Sequence, residues 1–425
     1  MKLKNFKVNP VRKIGGVVFI PSDKSISHRA LILSSISRGT SRIFNLLESE
    51  DVFSTLNALR NLGIEIKKQK NFYIVKGGSL KKPEGKIFCG NSGTTMRLLS
   101  GLISGHPIKA TLTGDMSLSK RPMKRIIEPI SLMGAKIKSK KGFPPLEIQG
   151  SSNLKGISYK MPVASAQVKS AILLAGLNAK GTTKIFEKIP SRNHTEIMLK
   201  NFCADIKIKN GWIVLKPSKL KAQNVMVPGD ISSACFFITA GVLLGKIKIK
   251  QVGINRTRTG FVDAIRKMGA KVKFVNKHLL SGEPVADILV EKSKLKARNF
   301  SKKDIPSMID EIPLLALIAT QSEGVTKITG AQELRVKESD RIRATYEGLR
   351  KMGAKIEELK DGFIIKGPQK LKGTSVQGFS DHRIVMMLYI AGLIAEGRTT
   401  IDDISSVKIS FPDFFKIAKK IVRRD

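Results

Sequence analysis

The side chains best suited to bind an anion stand in short polar segments that precede apolar stretches. In PSDKSISHR, the residues Lys24, Ser25 and Arg29 lie at the start of an apolar stretch that stops near Gly39. The first N–H groups of a helix have no partner within the helix, and the helix dipole is positive there. Lysine and arginine at such a start favour phosphate or carboxylate binding. Taken alone, however, this segment is more typical of an ordinary capped surface helix.

The pattern of a polar loop, an apolar helix, a glycine and a β-prone run recurs, which changes that interpretation. Its six copies begin at Pro21, Gly90, Ala164, Gly229, Asp310 and Ser380. The glycines predicted to be C-caps of these helices are Gly39, Gly105, Gly181, Gly245, Gly324 and Gly397. A second, more polar helix follows each copy, and five of these end in a signature such as MGAKIK and a strand. The sixth copy lacks that strand, which the N-terminal LKNFKV could supply.

These units predict an α/β protein with two domains, because 425 residues exceed what one core can bury. Each unit is about 70 residues long and follows a β-α-β-α-β-β order. The apolar helices are expected to be buried on all sides, and the polar ones half exposed. We expect three units per domain, with residues 1–21 and 228–425 forming a discontinuous domain and residues 22–227 the other. Parallel apolar helices would then start at a common cleft.

The composition excludes several classes of protein. The net charge of +42 suits nucleic-acid binding, but the lysines are scattered and aromatic residues make up only 6%, so we favour solvated surface lysines and an acidic small substrate. The three cysteines form no CxxC and the histidines no HxH or HxxxH pair, so neither disulfides nor a metal site are expected. No signal peptide is evident, and the longest apolar run, Ile384–Ala395, is too short to span a bilayer. We therefore expect a cytoplasmic protein that binds neither membrane nor nucleic acid.

The candidate chemistry lies in the loops at the helix starts. Arginine binds phosphate and carboxylate through paired hydrogen bonds, and nearly every start carries a cation. Asp310 and Glu338 are carboxylates among cations, which is typical of an acid–base pair. Gly93 would let the backbone approach a ligand closely. The loops therefore predict a site for two phosphates and a carboxylate.

Motifs along the whole chain resemble those of the EPSP synthases, the 3-phosphoshikimate 1-carboxyvinyltransferase family. In order they are DKSISHR, GNSGTTMR, GD–LS–RPM, SAQ-K, R-HTE, N-TR, DE-P, LRVKESDRI, DHR and SFPDFF. The forms SAQVK, RNHTE and NRTR are similar to the second class of this family, part of which tolerates glyphosate. The resemblance implies an inside-out α/β barrel of two domains, with three βαβαββ units in each.

The resemblance also implies an activity, namely transfer of the enolpyruvyl group of phosphoenolpyruvate to the 5-hydroxyl of shikimate 3-phosphate with release of phosphate. This reaction belongs to chorismate and aromatic amino acid biosynthesis. The family needs no cofactor or metal, and we expect a monomer.

The resemblance assigns roles to individual residues. Asp310 would take the 5-hydroxyl proton, while Glu338 and Lys24 would serve proton transfer at the enol carbon and the departing phosphate. The residues expected to bind shikimate 3-phosphate are Lys24, Ser25, Arg29, Ser165, Ala166 (through its backbone), Gln167, Ser191, Asp310 and Lys337. The residues expected to bind phosphoenolpyruvate are Lys24, Gly93, Arg121, Gln167, Arg341 and Arg383. The roles of His194, His382 and Lys408 stay open.

Two alternatives remain. The enolpyruvyl transferase that acts on UDP-N-acetylglucosamine shares the fold, but it uses a cysteine in a mobile loop. Here the corresponding stretch, Leu118–Pro122, has no cysteine, and LRVKESDR is absent from that family. An RNA-binding or RNA-end-processing protein with related repeats would suit the positive charge and predicts salt-dependent RNA binding.

Overall fold

The computed structural model describes residues 4–422, which group into two compact units. The first unit comprises the residues up to Pro21, Pro228–Leu279 and the residues from Pro284 onward. The second comprises Ser22–Val227 with Leu280–Glu283. Each unit has its own hydrophobic core of aliphatic and aromatic side chains. The chain is therefore an α/β protein of two domains, as the sequence predicts.

The helices within residues 4–422 differ in burial as their sequences predict. They are α1 (Lys24–Ser35), α2 (Glu50–Asn61), α3 (Gly93–Ser104), α4 (Met116–Ser119), α5 (Lys124–Leu132), α6 (Ala166–Gly176), α7 (His194–Asn201), α8 (Ile231–Leu244), α9 (Gly260–Lys267), α10 (Ile312–Thr320), α11 (Arg341–Lys351), α12 (His382–Ile394) and α13 (Phe414–Ile421). Short 3₁₀ turns span Ile305–Ser307, Ile309–Glu311, Gln332–Val336 and Ser405–Ile409.

Six of these helices, α1, α3, α6, α8, α10 and α12, are buried along nearly their whole length. Burial of this kind follows from their uniformly apolar composition. By contrast, α2, α9 and α11 bury one face and expose polar residues on the other. None of the helices in residues 4–422 is both long and apolar enough to cross a bilayer.

The strands within residues 4–422 are short. They are β1 (Lys4–Val8), β2 (Ile14–Phe19), β3 (Thr40–Phe44), β4 (Glu65–Lys68), β5 (Phe72–Lys76), β6 (Ile87–Phe88), β7 (Lys109–Thr113), β8 (Lys136–Lys140), β9 (Phe143–Gln149), β10 (Ser158–Lys160), β11 (Thr183–Phe186), β12 (Ile206–Lys209), β13 (Trp212–Leu215), β14 (Val225–Met226), β15 (Gly245–Gly253), β16 (Lys271–Leu280), β17 (Glu283–Glu291), β18 (Gly324–Ile328), β19 (Ile356–Leu359), β20 (Gly362–Gly367), β21 (Ser375–Val376) and β22 (Thr399–Asp403).

These strands form six open sheets. In the second unit the orders are β14-β3-β5-β4, β6-β7-β9-β8 and β10-β11-β13-β12, and in the first they are β16-β17-β15-β2, β18-β20-β19 and β1-β22-β21. The N-terminal strand β1 pairs antiparallel with β22, so that Lys4 lies opposite Asp403 and Val8 opposite Thr399. Within residues 4–422 no sheet closes on itself, so the structure has no closed barrel.

The prediction that a glycine caps each apolar helix is wrong for four of the six. Only Gly105 and Gly245 are C-cap residues. The other helices end several residues earlier, and their glycines have φ between +83° and +105° just before or at the start of the next strand. These four are Gly39, Gly181, Gly324 and Gly397. They are needed because a left-handed backbone is costly for residues with a Cβ atom.

Cys203 occupies a left-handed position without being a glycine. Its φ is +66°, whereas the corresponding turns after the other polar helices use Gly63, Gly134, Gly269 and Gly353, all with positive φ. A residue with a Cβ atom in this backbone region destabilises the folded state by about 1–2 kcal/mol. Replacement by glycine removes this strain, but the greater chain entropy of glycine in the unfolded state offsets about 0.5–1 kcal/mol of the benefit. We expect Cys203→Gly to raise the free energy of unfolding by roughly 0.5–1 kcal/mol. Thermal unfolding measures this, with Cys203→Ser as the control that removes the thiol and keeps the strain; equal shifts in both variants would contradict the explanation.

Candidate active site

In the second unit, the candidate residues cluster at the starts of α1, α3 and α6. Lys24 and Ser25 are the first two residues of α1, and Gly93 is the first residue of α3. Ala166 and Gln167 are the first two residues of α6. The backbone N–H groups of a first turn have no helical acceptor. Each helix start therefore combines a positive helix end with residues that the sequence predicts to bind a substrate.

Lys24 is held by a carboxylate from the next helix. Its Nζ donates to Asp51 Oδ2 at 2.8 Å, and the two side chains are 18% and 9% exposed. Asp51 lies in the first turn of α2, where a carboxylate also suits the helix dipole. Sequence reasoning missed Asp51, because its position is equally well explained by that dipole. The ion pair fixes the ammonium of Lys24 close to the start of α1.

Two guanidinium groups and an amide converge beside Gly93. Arg97 Nη1 donates to Gln167 Oε1 at 2.6 Å, and Arg121 Nη2 donates to Asn91 Oδ1 at 2.6 Å. A Cβ atom placed on Gly93 would lie 3.1 Å from Arg97 Nη1 and 3.5 Å from Arg121 Nη1. The structure therefore brings together three residues predicted to bind phosphoenolpyruvate, namely Gly93, Arg121 and Gln167. Because Gly93 has no side chain, both guanidinium groups lie close to its backbone.

Arg29 is buried and held by three hydrogen bonds. Its Nε donates to Thr195 Oγ1 at 2.6 Å, its Nη2 to Ser170 Oγ at 2.8 Å, and its Nη1 to the carbonyl oxygen of Ser25 at 2.9 Å. Burial lowers the pKa of Arg29 to about 10, against the opposing effect of nearby carboxylates. Arg29 therefore stays charged at neutral pH and is fixed in one orientation beside the start of α1.

Ser191 is anchored to a buried ion cluster. Its hydroxyl donates to Glu187 Oε1 at 2.5 Å. Lys169, which is 1% exposed, pairs with Glu187 Oε2 and Glu196 Oε1 at 2.7 Å each. Burial raises the pKa of Glu196, although Lys169 lowers it. Ser165 is the N-cap residue of α6, and its side chain makes no capping hydrogen bond.

Arg341 is the centre of the candidate residues in the first unit. It begins α11, its side chain is 1% exposed, and its Nε donates to Asp381 Oδ2 at 2.8 Å. Its Nη2 donates to Glu338 Oε2 at 2.6 Å and its Nη1 to Asp310 Oδ1 at 3.2 Å. Burial lowers the pKa of Arg341, but these carboxylates raise it above its ordinary value. Arg341 is therefore a permanent cation that orients both predicted acid–base residues.

Asp310 is surrounded by cations. Besides Arg341, its carboxylate lies 4.0 Å from Lys337 Nζ and 3.7 Å from Arg383 Nη2. Nearby positive charges favour the ionised form of a carboxyl group. Arg383 Nη1 also lies 3.6 Å from Oε1 of the buried Glu311. All five predicted residues of the first unit thus belong to one ion-pair cluster.

Asp381 supports this cluster from the N-cap of α12. It accepts from Arg341 and from the backbone N–H of Arg383. Burial raises the pKa of Asp381, but Arg341 and His382 lower it below its ordinary value. Sequence reasoning missed this role of Asp381, because its partner Arg341 lies 40 residues away in the chain.

The three residues whose roles stayed open have different surroundings. His382 begins α12, is buried, and has Nδ1 4.0 Å from Asp381 Oδ1. His194 begins α7, is buried, and has Nδ1 2.7 Å from Glu283 Oε1. Lys408 lies in the 3₁₀ turn Ser405–Ile409. Both histidines therefore have a carboxylate neighbour within the protein.

Comparison with known proteins identifies the family. The family model for EPSP synthase (3-phosphoshikimate 1-carboxyvinyltransferase) matches residues 8–417. A 3-phosphoshikimate 1-carboxyvinyltransferase from Endomicrobium trichonymphae is 49% identical over 427 residues, covering 98% of this chain and 99% of the relative. One from Thermodesulfovibrio yellowstonii is 49% identical over 425 residues, covering 97% and 99%.

The solved structures agree with the sequence relatives. An EPSP synthase from Acinetobacter baumannii aligns with a TM-score of 0.88 and 42% identity, covering 99% of this chain and 98% of that one. Both kinds of comparison thus span nearly the whole chain and confirm the resemblance of the motifs. The protein belongs to the EPSP synthase family.

Proposed function

We propose that the protein transfers the carboxyvinyl group of phosphoenolpyruvate to the 5-hydroxyl of shikimate 3-phosphate and releases phosphate, as a step of aromatic amino acid biosynthesis. The observation that carries this proposal is the cluster in which Arg341 holds both Asp310 and Glu338. A carboxylate pair beside fixed cations suits a reaction that moves protons while an anionic group departs. Family membership supports the same activity.

The chemistry needs a base and an acid on different sides of the reacting atoms. Asp310 accepts the proton of the 5-hydroxyl as its oxygen attacks C2 of phosphoenolpyruvate. Glu338 and Lys24 supply and accept protons at the enol C3 and at the leaving phosphate. Asp310 and Glu338 contact different nitrogens of Arg341, which supports their separation into two roles. Fixed cations stabilise the phosphate as it leaves, because no reorganisation is needed at that moment.

The two substrates are assigned to overlapping sets of residues. Shikimate 3-phosphate is assigned to Lys24, Ser25, Arg29, Ser165, Ala166, Gln167, Ser191, Asp310 and Lys337. The burial and fixed orientation of Arg29 support this assignment, and so does the start of α6. The close approach of two arginines to Gly93 supports the assignment of phosphoenolpyruvate to Lys24, Gly93, Arg121, Gln167, Arg341 and Arg383. Arginine recognises both phosphate and carboxylate through paired hydrogen bonds.

We further propose the finer features of the architecture and the setting of the enzyme. Residues 1–21 with 228–425, and residues 22–227, act as two functional domains of three βαβαββ units each in an inside-out α/β barrel. The presence of three open sheets in each unit supports this arrangement. Because one chain supplies every candidate residue, the enzyme acts as a monomer, and we place it in the cytoplasm.

Identification of the product tests the activity directly. Purified protein is incubated with phosphoenolpyruvate and shikimate 3-phosphate, and the products are identified by mass spectrometry and phosphorus NMR. We expect an enol ether that keeps the 3-phosphate, together with one equivalent of inorganic phosphate. Formation of pyruvate and phosphate with unchanged shikimate 3-phosphate would overturn the proposal.

Replacement of Gly93 by alanine tests the assignment of phosphoenolpyruvate. The new methyl group would stand 3.1 Å from Arg97 Nη1, in the space proposed for the ligand, without a left-handed backbone at Gly93. We expect the KM for phosphoenolpyruvate and the inhibition constant for glyphosate each to rise about tenfold. Steady-state kinetics measure both, with Gly78→Ala, which has open space around its Cβ position, as control. Unchanged values in Gly93→Ala would place Gly93 away from the ligand.

A further inference from the structure

A buried chain of hydroxyl groups joins the first three helices of the second unit. His28 Nδ1 lies 2.7 Å from Thr55 Oγ1, which lies 2.6 Å from Thr95 Oγ1. Thr95 Oγ1 in turn donates to Ser92 Oγ at 2.8 Å. All four residues are fully buried at 0% exposure. The chain therefore runs from α1 through α2 to the N-cap of α3, out of contact with water.

The hydrogen bonds of this chain have one consistent direction. Ser92 Oγ accepts from the backbone N–H of Thr95 as the α3 cap and also from the Thr95 hydroxyl. Because a hydroxyl has one proton, Thr95 must accept from Thr55, and Thr55 must accept from His28. Burial, followed by the charges of Lys24 and Arg29, lowers the pKa of His28 well below its ordinary value, so the ring is neutral. The proton of His28 is therefore on Nδ1, and Nε2 is the nitrogen left without a partner.

The chain ends beside two residues that the proposed reaction uses. Ser92 directly precedes Gly93 and caps the helix that Gly93 begins. Thr95 Oγ1 lies 3.4 Å from the carbonyl oxygen of Asp51, whose carboxylate holds Lys24. A shift of Thr55 would thus change the positions of both Lys24 and the start of α3.

Arg29, which is proposed to bind shikimate 3-phosphate, is held in a different way. Arg29 bonds to Thr195 on α7 and Ser170 on α6, and neither residue belongs to the chain. The faces of α1 that carry His28 and Arg29 therefore have separate partners.

We propose that Thr55 is a positioning residue that acts through His28 and Thr95 to fix Lys24 and Gly93 for phosphoenolpyruvate. This inference depends on the proposed function. The hydroxyl of Thr55 is what matters, because it is the member that both accepts and donates in the middle of the chain. Its methyl group only fills space in the core.

Three variants separate the hydroxyl from the packing. Thr55→Val keeps the shape and removes the hydroxyl, whereas Thr55→Ser keeps the hydroxyl and removes the methyl group. The matched control is Thr183→Val, since Thr183 is fully buried in the same unit and its hydroxyl has no hydrogen-bond partner. Thermal unfolding of each variant reports its stability alongside the kinetics.

We expect kcat/KM for phosphoenolpyruvate to fall about tenfold in Thr55→Val, with a smaller rise in the KM for shikimate 3-phosphate, because Arg29 keeps its own partners. Thr55→Ser is expected to keep near-normal kinetics even if its melting temperature falls, and Thr183→Val to keep normal kinetics. Equal kinetics in Thr55→Val and Thr183→Val would overturn the proposal, and so would loss of activity in Thr55→Ser equal to that in Thr55→Val. A wild-type protein that fails to form the enol ether would instead refute the proposed function.

The direction of the chain has its own test in the unmodified protein. Nitrogen-15 NMR of the imidazole rings distinguishes the two neutral tautomers of histidine. We expect His28, assigned with a His28→Asn variant, to carry its proton on Nδ1 across neutral pH. A proton on Nε2 would mean that Nδ1 accepts from Thr55, and it would overturn the direction assigned to the chain.

Discussion

Lys24→Met is expected to lower kcat by about a thousandfold or more while the protein stays folded. Lys24 begins α1, and its ammonium is held by Asp51 at 2.8 Å, so that it presents a fixed charge at a helix start. In the proposed reaction this charge faces the phosphate that leaves and takes part in proton transfer. Methionine has a similar length and no charge. Steady-state phosphate release measures the effect.

A surface lysine provides the control for Lys24. Lys68 also pairs closely with a carboxylate, Glu48 at 2.6 Å, but its side chain is 54% exposed. Exposed ion pairs contribute little to stability, so Lys68→Met should leave both activity and melting temperature nearly unchanged. Near-normal turnover in Lys24→Met would refute the assigned role. A collapsed melting temperature would point to a structural role through Asp51 instead.

Asp310→Asn is expected to lower kcat about a hundred- to ten-thousandfold, with both KM values changed only a few fold. Asparagine keeps the size of the side chain and its contact with Arg341, but it cannot accept a proton from the 5-hydroxyl. An interaction made only in the transition state affects kcat rather than binding. Kinetics with each substrate varied in turn separate the two effects.

Glu311→Gln is the matched control for Asp310. Both carboxylates lie within 4 Å of Arg383, at 3.7 Å for Asp310 and 3.6 Å for Glu311. Removing the charge of Glu311 changes the surroundings of Arg383 without removing the proposed base, so its kcat should fall far less. Equal losses in the two variants would indicate that Asp310 acts by balancing the charge of Arg383.

The sequence could locate the helix starts because local chemistry determines them. A polar residue ahead of an apolar run acts as an N-cap, as Asp23, Ser92 and Asp381 do with their side chains. The candidate residues Lys24 and Gly93 accordingly begin their helices, as the motifs indicate. The buried helices could also be predicted, since α8 and α10 have no polar face.

The partners of the charged groups could not be predicted from the sequence. Lys24 pairs with Asp51 and Arg341 with Asp381, across 27 and 40 residues of chain. Such pairs form only after the helices pack, so no local pattern indicates them. The hydroxyl chain through Thr55 could not be predicted for the same reason. An isolated threonine in an amphipathic helix is common and indicates no partner. The misplaced glycine caps have a local cause, since a turn of several residues separates most of these helices from the next strand.

Phosphate release from the two substrates together is the decisive measurement of the proposed reaction. Purified protein is mixed with phosphoenolpyruvate alone, with shikimate 3-phosphate alone, and with both, and inorganic phosphate is followed over time. We expect phosphate release only when both substrates are present, and almost none in Lys24→Met and Asp310→Asn. Folded wild-type protein that releases no phosphate with both substrates, or equally much from phosphoenolpyruvate alone, would contradict the proposed function.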